Sequence, residues 1–198
     1  MTISTDNQFL FTSDDTGVLK KWNLEKHVLV KDYNQIDSGI YSIACTLDNK
    51  YLFTSDLYGI VKQWSITRET LYHNYGKVHE CDVFSICVSN DSKYLYTSGG
   101  KNGEVKCFDI NTYEELNHYK GFYDCVCNGI GVTYDDKFLF TSDNFGYVHQ
   151  LDLGKGTVME EWGKVHDCEI VAIALTKVHF KQKGNQSTKR FYQFSKSN

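Results

Sequence analysis

Polar turn signals divide the chain into short stretches rich in β-branched and aromatic residues, and the same stretch returns at a nearly fixed interval. Leu10-Phe11-Thr12-Ser13 recurs as Leu52-Phe53-Thr54-Ser55, Leu95-Tyr96-Thr97-Ser98 and Leu139-Phe140-Thr141-Ser142, at steps of 42, 43 and 44 residues. Asp6-Asn7-Gln8, Asp48-Asn49-Lys50, Asp91-Ser92-Lys93 and Asp135-Asp136-Lys137 precede the four copies. Short Asp and Asn side chains bond their own backbone, so these triplets predict tight turns. A glycine follows each Ser by four or five residues (Gly17, Gly59, Gly103, Gly146), and five residues later comes a large apolar side chain: Trp22, Trp64, Phe108 or Leu151.

Each unit resolves into four strands. The first carries Ile43, Ile86, Ile130 or Ile173, followed by a small residue: Ala44, Cys87, Gly131 or Ala174. Small residues recurring there predict strands that crowd one another around an axis. The Leu-aromatic-Thr-Ser run is the second strand, and the third ends at the large apolar residue. The fourth is expected to end on Tyr33, Tyr75, Tyr119 or Trp162. No stretch has a 3.6-residue period, so the fold class is all-β, without a long helix.

Four strands per 42–44 residues is the pattern of a propeller blade, and the chain resembles the WD40 family. Its Gly-His element is similar to Gly76-Lys77-Val78-His79 and Gly163-Lys164-Val165-His166, and its Trp-Asp ending to Trp22-Asn23, Trp64-Ser65, Phe108-Asp109 and Leu151-Asp152. The resemblance implies a WD40-type β-propeller arc of about four four-stranded antiparallel blades plus a partial fifth. It covers residues 1–176, with repeats at about 1–38, 39–81, 82–125 and 126–168 and then the first strand of a fifth. Residues 177–198 form a basic divergent tail or a worn partial blade, with Phe191-Tyr192-Gln193-Phe194-Ser195 as its second strand.

The family's His–Ser/Thr–Asp–Trp hydrogen-bond network is expected to be incomplete in every blade. Ile36 and Tyr123 stand at two of the His positions, and Thr16, Tyr58, Asn102 and Phe145 precede the turn glycines. Residue 1 falls inside a first strand, so the arc is expected to be finished by another chain or to belong to a longer protein.

Charge narrows the functional classes. Residues 1–169 hold all 25 acids and only 15 of the 21 Lys and Arg, while Lys177, Lys181, Lys183, Lys189, Arg190 and Lys196 make the remainder basic. An acidic body disfavours nucleic acid as a partner. Apolar runs fall short of the roughly 20 residues of a membrane span, and no signal peptide is visible. The chain reads as soluble and cytoplasmic, with the nucleus also open. Seven cysteines, an odd number scattered through strands, suit free buried thiols.

Chemistry has few candidates. Cys81, Cys125 and Cys168 recur at one position of successive repeats, with His79 and His166 two residues before the first and last. They are zinc-type ligands, but they sit about a blade apart, so neither a metal nor a cofactor is expected. Residues that recur blade after blade do not gather at one point, so an enzyme, whether thiol- or zinc-dependent, is the unlikely alternative.

Recognition is the expected role: a non-enzymatic scaffold or adaptor that binds other proteins through the loops of one propeller face. In this family the turns between second and third strands share a face with the loops entering the first strand. The candidate partner-binding residues there are Asp14, Asp15, Asp56, Tyr58, Lys101, Asn102, Asp143, Phe145, Asp82 and Asp124. Their acidity and two aromatics suit a basic peptide or surface. The alternative is an architectural subunit whose exposed blade edges dock to another chain.

Overall fold

In the computed structural model, residues 1–35, 38–99, 103–120, 126–175 and 193–194 are described. Four antiparallel sheets of four strands follow one another, each in simple up-and-down order. The first blade is β1 (Thr2–Ile3), β2 (Phe9–Ser13), β3 (Val18–Asn23) and β4 (Val28–Gln35). The second is β5 (Ile40–Cys45), β6 (Tyr51–Asp56), β7 (Ile60–Ser65) and β8 (Thr70–Lys77). The third is β9 (Val83–Val88), β10 (Tyr94–Gly99), β11 (Glu104–Asp109) and β12 (Glu115–Tyr119), and the fourth is β13 (Cys127–Val132), β14 (Phe138–Asp143), β15 (Tyr147–Asp152) and β16 (Thr157–Lys164). A two-stranded sheet, β17 (Ile173–Ala174) and β18 (Gln193–Phe194), follows the fourth blade. The fold is all-β. Among the described residues no helix is long and apolar enough to cross a membrane.

The outer strands run past the aromatic expected to end them in three blades: β4, β8 and β16 continue two residues beyond Tyr33, Tyr75 and Trp162. A register shift in each third–fourth strand pairing accompanies this. The bulge changes which side chains face inward without ending the ladder.

Inner strands β5, β9, β13 and β17 stand side by side. Between blades lie separate apolar cores, and they explain the recurring Leu-aromatic-Thr-Ser run. Because side chains alternate across a strand, its Leu and Thr point towards the preceding blade and its aromatic and Ser towards the following one. Leu52 thus packs with Phe11 and Leu19 of the first blade, beside Ile40, Ile43 and Trp64. Phe53 faces the other way, against Val83, Ile86, Leu95 and Phe108 of the third blade. Tyr96 repeats this against Cys127, Ile130, Leu139 and Leu151. Phe140 meets Ile170, Ile173 and Leu175.

The hydroxyls divide the same way. Ser55 donates to the Val83 carbonyl (2.9 Å), Ser98 to that of Cys127 (3.2 Å) and Ser142 to that of Ile170 (3.2 Å), so each Ser binds the next inner strand. The Thr works within its own blade. Thr12 and Thr54 accept the indole N–H of Trp22 and Trp64 at 2.9 and 3.0 Å, and Thr97 bonds His79 Nε2 at 2.9 Å. In the fourth blade Leu151 replaces Trp, and Thr141 Oγ1 is buried without a hydrogen-bond partner among the described residues. The expected network therefore survives in pieces, one bond per blade for three blades. Ile36 and Tyr123, at two of its His positions, lie outside the described residues.

Turn triplets behave as their composition demands. Hydroxyls of Ser4, Thr46, Ser89 and Thr133 donate to Asp6, Asp48, Asp91 and Asp135 at 2.6–2.8 Å. Asn7, Asn49, Ser92 and Asp136 take positive φ between 52° and 59°.

Candidate interaction face

Two sets of loops meet on one face, and backbone bonds hold them there. The amides of Val78 and His79 both donate to the Gly59 carbonyl, and those of Val165 and His166 to that of Gly146. Ile40 and Ile170 donate to the carbonyls of Asp14 and Asp143. The second-to-third-strand turns of the first, second and fourth blades are thus stitched to the loops entering the next inner strands. At Gly59 (φ 84°) and Gly146 (φ 90°) a Cβ would collide with the carbonyls of His79 and His166. Only glycine permits both the backbone angle and the approach. Gly17 and Gly103 are likewise buried at positive φ.

The candidate acids divide in two. Asp56 is 6% exposed and Asp143 2%, which corrects their reading as carboxylates offered to a partner. Asp56 Oδ1 accepts the amides of Tyr58 and Ile60 (2.9 Å each) and its Oδ2 accepts the Ser38 hydroxyl at 2.7 Å. Asp143 Oδ1 accepts the amides of Phe145 and Tyr147, and its Oδ2 lies 3.3 Å from His149 Nε2. A carboxylate satisfied by local amides stabilises a turn and has little left for a ligand. Asp14 makes the same bonds from an exposed position. The Val18 amide, with the Thr16 hydroxyl, holds its carboxyl below the ordinary aspartate range.

Asp15, Glu80, Asp167 and Glu169 are exposed, and Asp82 is half-buried. Tyr58 and Phe145 project from their turns, 58% and 53% exposed. Lys101, Asn102 and Asp124 lie outside the described residues.

One pair on this face was missed from sequence. Tyr41, 53% exposed, and Phe84 stand at the second position of neighbouring inner strands, ring centroids 5.5 Å apart. Asn128 occupies the equivalent place on β13, where its amide donates to Glu169 Oε1 at 2.7 Å. The signal was present in the repeat, since Tyr41-Ser42-Ile43 aligns with Phe84-Ser85-Ile86.

His79 is fully enclosed. Burial pushes its pKa down to about 4, nearby Lys106 adding and Glu104 opposing. The neutral ring binds Thr97. Cys81 is half-buried and Cys168 exposed, while Cys125 lies outside the described residues. Among the described residues no three His, Cys, Asp or Glu converge on a metal position. Burial raises the thiols of Cys45, Cys87 and Cys107, Cys45 to about 12 and Cys107 to about 11. A thiol held that high is not a nucleophile at neutral pH.

Residues 70–109 match the sequence model of the family described as WD domain, G-beta repeat. That segment is one WD40 repeat, and the four-stranded antiparallel sheets that recur along the chain are consistent with blades of a WD40 propeller. The matched segment runs from the outer strand of the second blade through the third strand of the third, so one WD40 repeat straddles two blades. It contains the two features that tie this repeat together, Gly59's partner His79 and the His79–Thr97 bond. Trp64, Phe108 and Leu151, at the repeat's Trp position, are buried between blades; Trp22 and His166 are half-buried. WD40 domains generally serve protein–protein interaction.

Proposed function

We propose that the protein is a non-enzymatic scaffold whose loop face binds a basic segment of another protein. The observation that carries this reading is that exposed Tyr58 and Phe145 stand with the exposed carboxylates of Asp14, Asp15, Glu80 and Glu169 on loops bonded to the sheets, with exposed Tyr41 near the start of inner strand β5. Large aromatics supply contact area at low entropic cost. The surrounding acids steer a Lys- or Arg-rich partner towards them, in a manner weakened by salt. Asp56 and Asp143 take no part in contact, because their oxygens are already spent on the turns that present Tyr58 and Phe145.

The test is affinity capture of partners with wild-type chain and with the Tyr58→Ala/Phe145→Ala double variant. Truncating two anchors of this kind is expected to cost at least tenfold in recovery. Captured proteins should dissociate between about 0.1 and 0.5 M salt as the Debye length shrinks. Equal recovery by the variant would remove this face from the function.

A further inference from the structure

Two contacts recur at every junction between full blades, and a third at two of the three. The first is the apolar core already described. The second joins consecutive inner turns: Asn49 accepts the Thr5 amide (2.8 Å), Ser92 that of Leu47 (3.0 Å) and Asp136 that of Asn90 (2.8 Å). The third comes from a positive-φ residue in the outer turn, which reaches back to the preceding blade. Glu69 binds Lys21 at 2.9 Å and Tyr113 stacks on His73 at 3.7 Å, while at the junction of the third and fourth blades the position is Gly156, where only an added Cβ would reach Tyr119.

On the side that faces away from the second blade, the first blade carries residues at the positions that make these contacts elsewhere. Leu10 and Trp22 stand at the positions of Leu52 and Trp64, Asn7 at that of Asn49, and His27 (φ 55°) at that of Glu69. Its inner strand β1 pairs only with Leu10 and Phe11. The other end of the arc offers the complement. Residues 170–175 lie on the fourth blade as an inner strand, fixed by Ser142 and by Phe140, and β17 pairs there with only two residues of β18.

We propose that two copies of this chain join head to tail, residues 170–175 of one copy acting as the inner strand of the first blade of the other. The register is set by the complete blades, where Ile43 lies opposite Thr54 and Ala44 opposite Phe53. By that rule Ile173 meets Thr12 and Ala174 meets Phe11 across the copies, replacing the two-residue pairings of β1 and β18. The junction forms twice, so the ring closes with two-fold symmetry and covers the apolar faces at both ends. This association uses blade faces and leaves the loop face free.

Sedimentation of the full chain from 1 to 100 μM tests it. The expected mass is twice 22.8 kDa at the upper concentrations. Leu10→Lys and Ile173→Lys alone should each run as monomers with the wild-type β circular dichroism. Mixed in equal amounts they should regain the doubled mass, because one junction between them is unaltered. A 22.8 kDa species throughout for the wild type overturns the proposal. So does a dimer that survives both substitutions, or folded variants that do not complement. The wild-type mass needs no variant and stands if either substitution prevents folding.

Discussion

The junction between the second and third blades and the one between the fourth blade and β17 use the same residues for half of their contacts. Phe53 and Phe140 are both fully buried, and Ser55 and Ser142 both bond the incoming inner strand. Across from Phe53 stand an inner strand and also Leu95, Phe108 and Ile110 from strands further out. Across from Phe140 the described residues are those of the inner strand and its approach, and Trp162, which packs edge-on to Phe140, remains 40% exposed. At both junctions the Ser hydroxyl and the aromatic ring meet the incoming inner strand in the same way. The outer strands supply most of the apolar burial that makes a junction strong.

Truncation of the two phenylalanines separates those contributions most sharply. Phe53→Ala should destabilise the protein by about 3–5 kcal/mol, the range for a large aromatic removed from a closed core. Phe140→Ala should cost about 1–2 kcal/mol less, since the described apolar neighbours across from it are those of the inner strand and its approach. Urea unfolding of the two variants checks this, and an equal or reversed order would mean that the outer strands contribute little.

A second difference is His79, which is buried, whereas its counterpart His166 beside the fourth blade is only half-buried. Its folded pKa lies near 4, below the usual value of about 6.5. Between those values the unfolded chain binds a proton that the folded chain refuses. The stabilisation is therefore fully present above about pH 6.5 and is lost as pH falls towards 4, by up to roughly 3 kcal/mol. Unfolding measured at pH 7, 5.5 and 4.5 should show this slope flattened in His79→Gln. A variant as pH-sensitive as the wild type would place the effect elsewhere.

The smallest contrast concerns one hydroxyl. Thr54→Val leaves the Trp64 indole N–H unpaired in a core and should cost about 1–2 kcal/mol. Thr141→Val removes a buried oxygen that already has no partner, so its effect should be neutral or slightly stabilising. Thermal melts of the pair decide it; an equal loss in both would show that Thr141 finds a bond not seen in the described residues.

Much of this was legible in the chain itself. The Leu-aromatic-Thr-Ser run announced its strand, and its fixed period announced the blade. The glycine five residues before each large apolar residue marked a turn that only glycine can make. Asp56 and Asp143 misled because sequence reports a carboxylate and its neighbours along the chain. Whether that carboxylate meets water or the amides of its own turn depends on how the turn closes. Tyr41 and Phe84 were visible as aligned aromatics, yet their ring contact requires two inner strands from different repeats to be brought side by side.

Periodicity of side chains along an extended backbone is a local property, so the sequence by itself determined the strands, their order and the two-sided role of each one. The direction in which those strands curl, and which repeat presses on which, depends on contacts between residues far apart in the chain, such as Ser55 with the strand beginning at Val83, 28 positions on, or Lys21 with Glu69, 48 positions on. Only the tertiary structure decided which acids are buried, which aromatics share a face, and which residues of the first blade stand on its outward side at the positions that join the blades behind it.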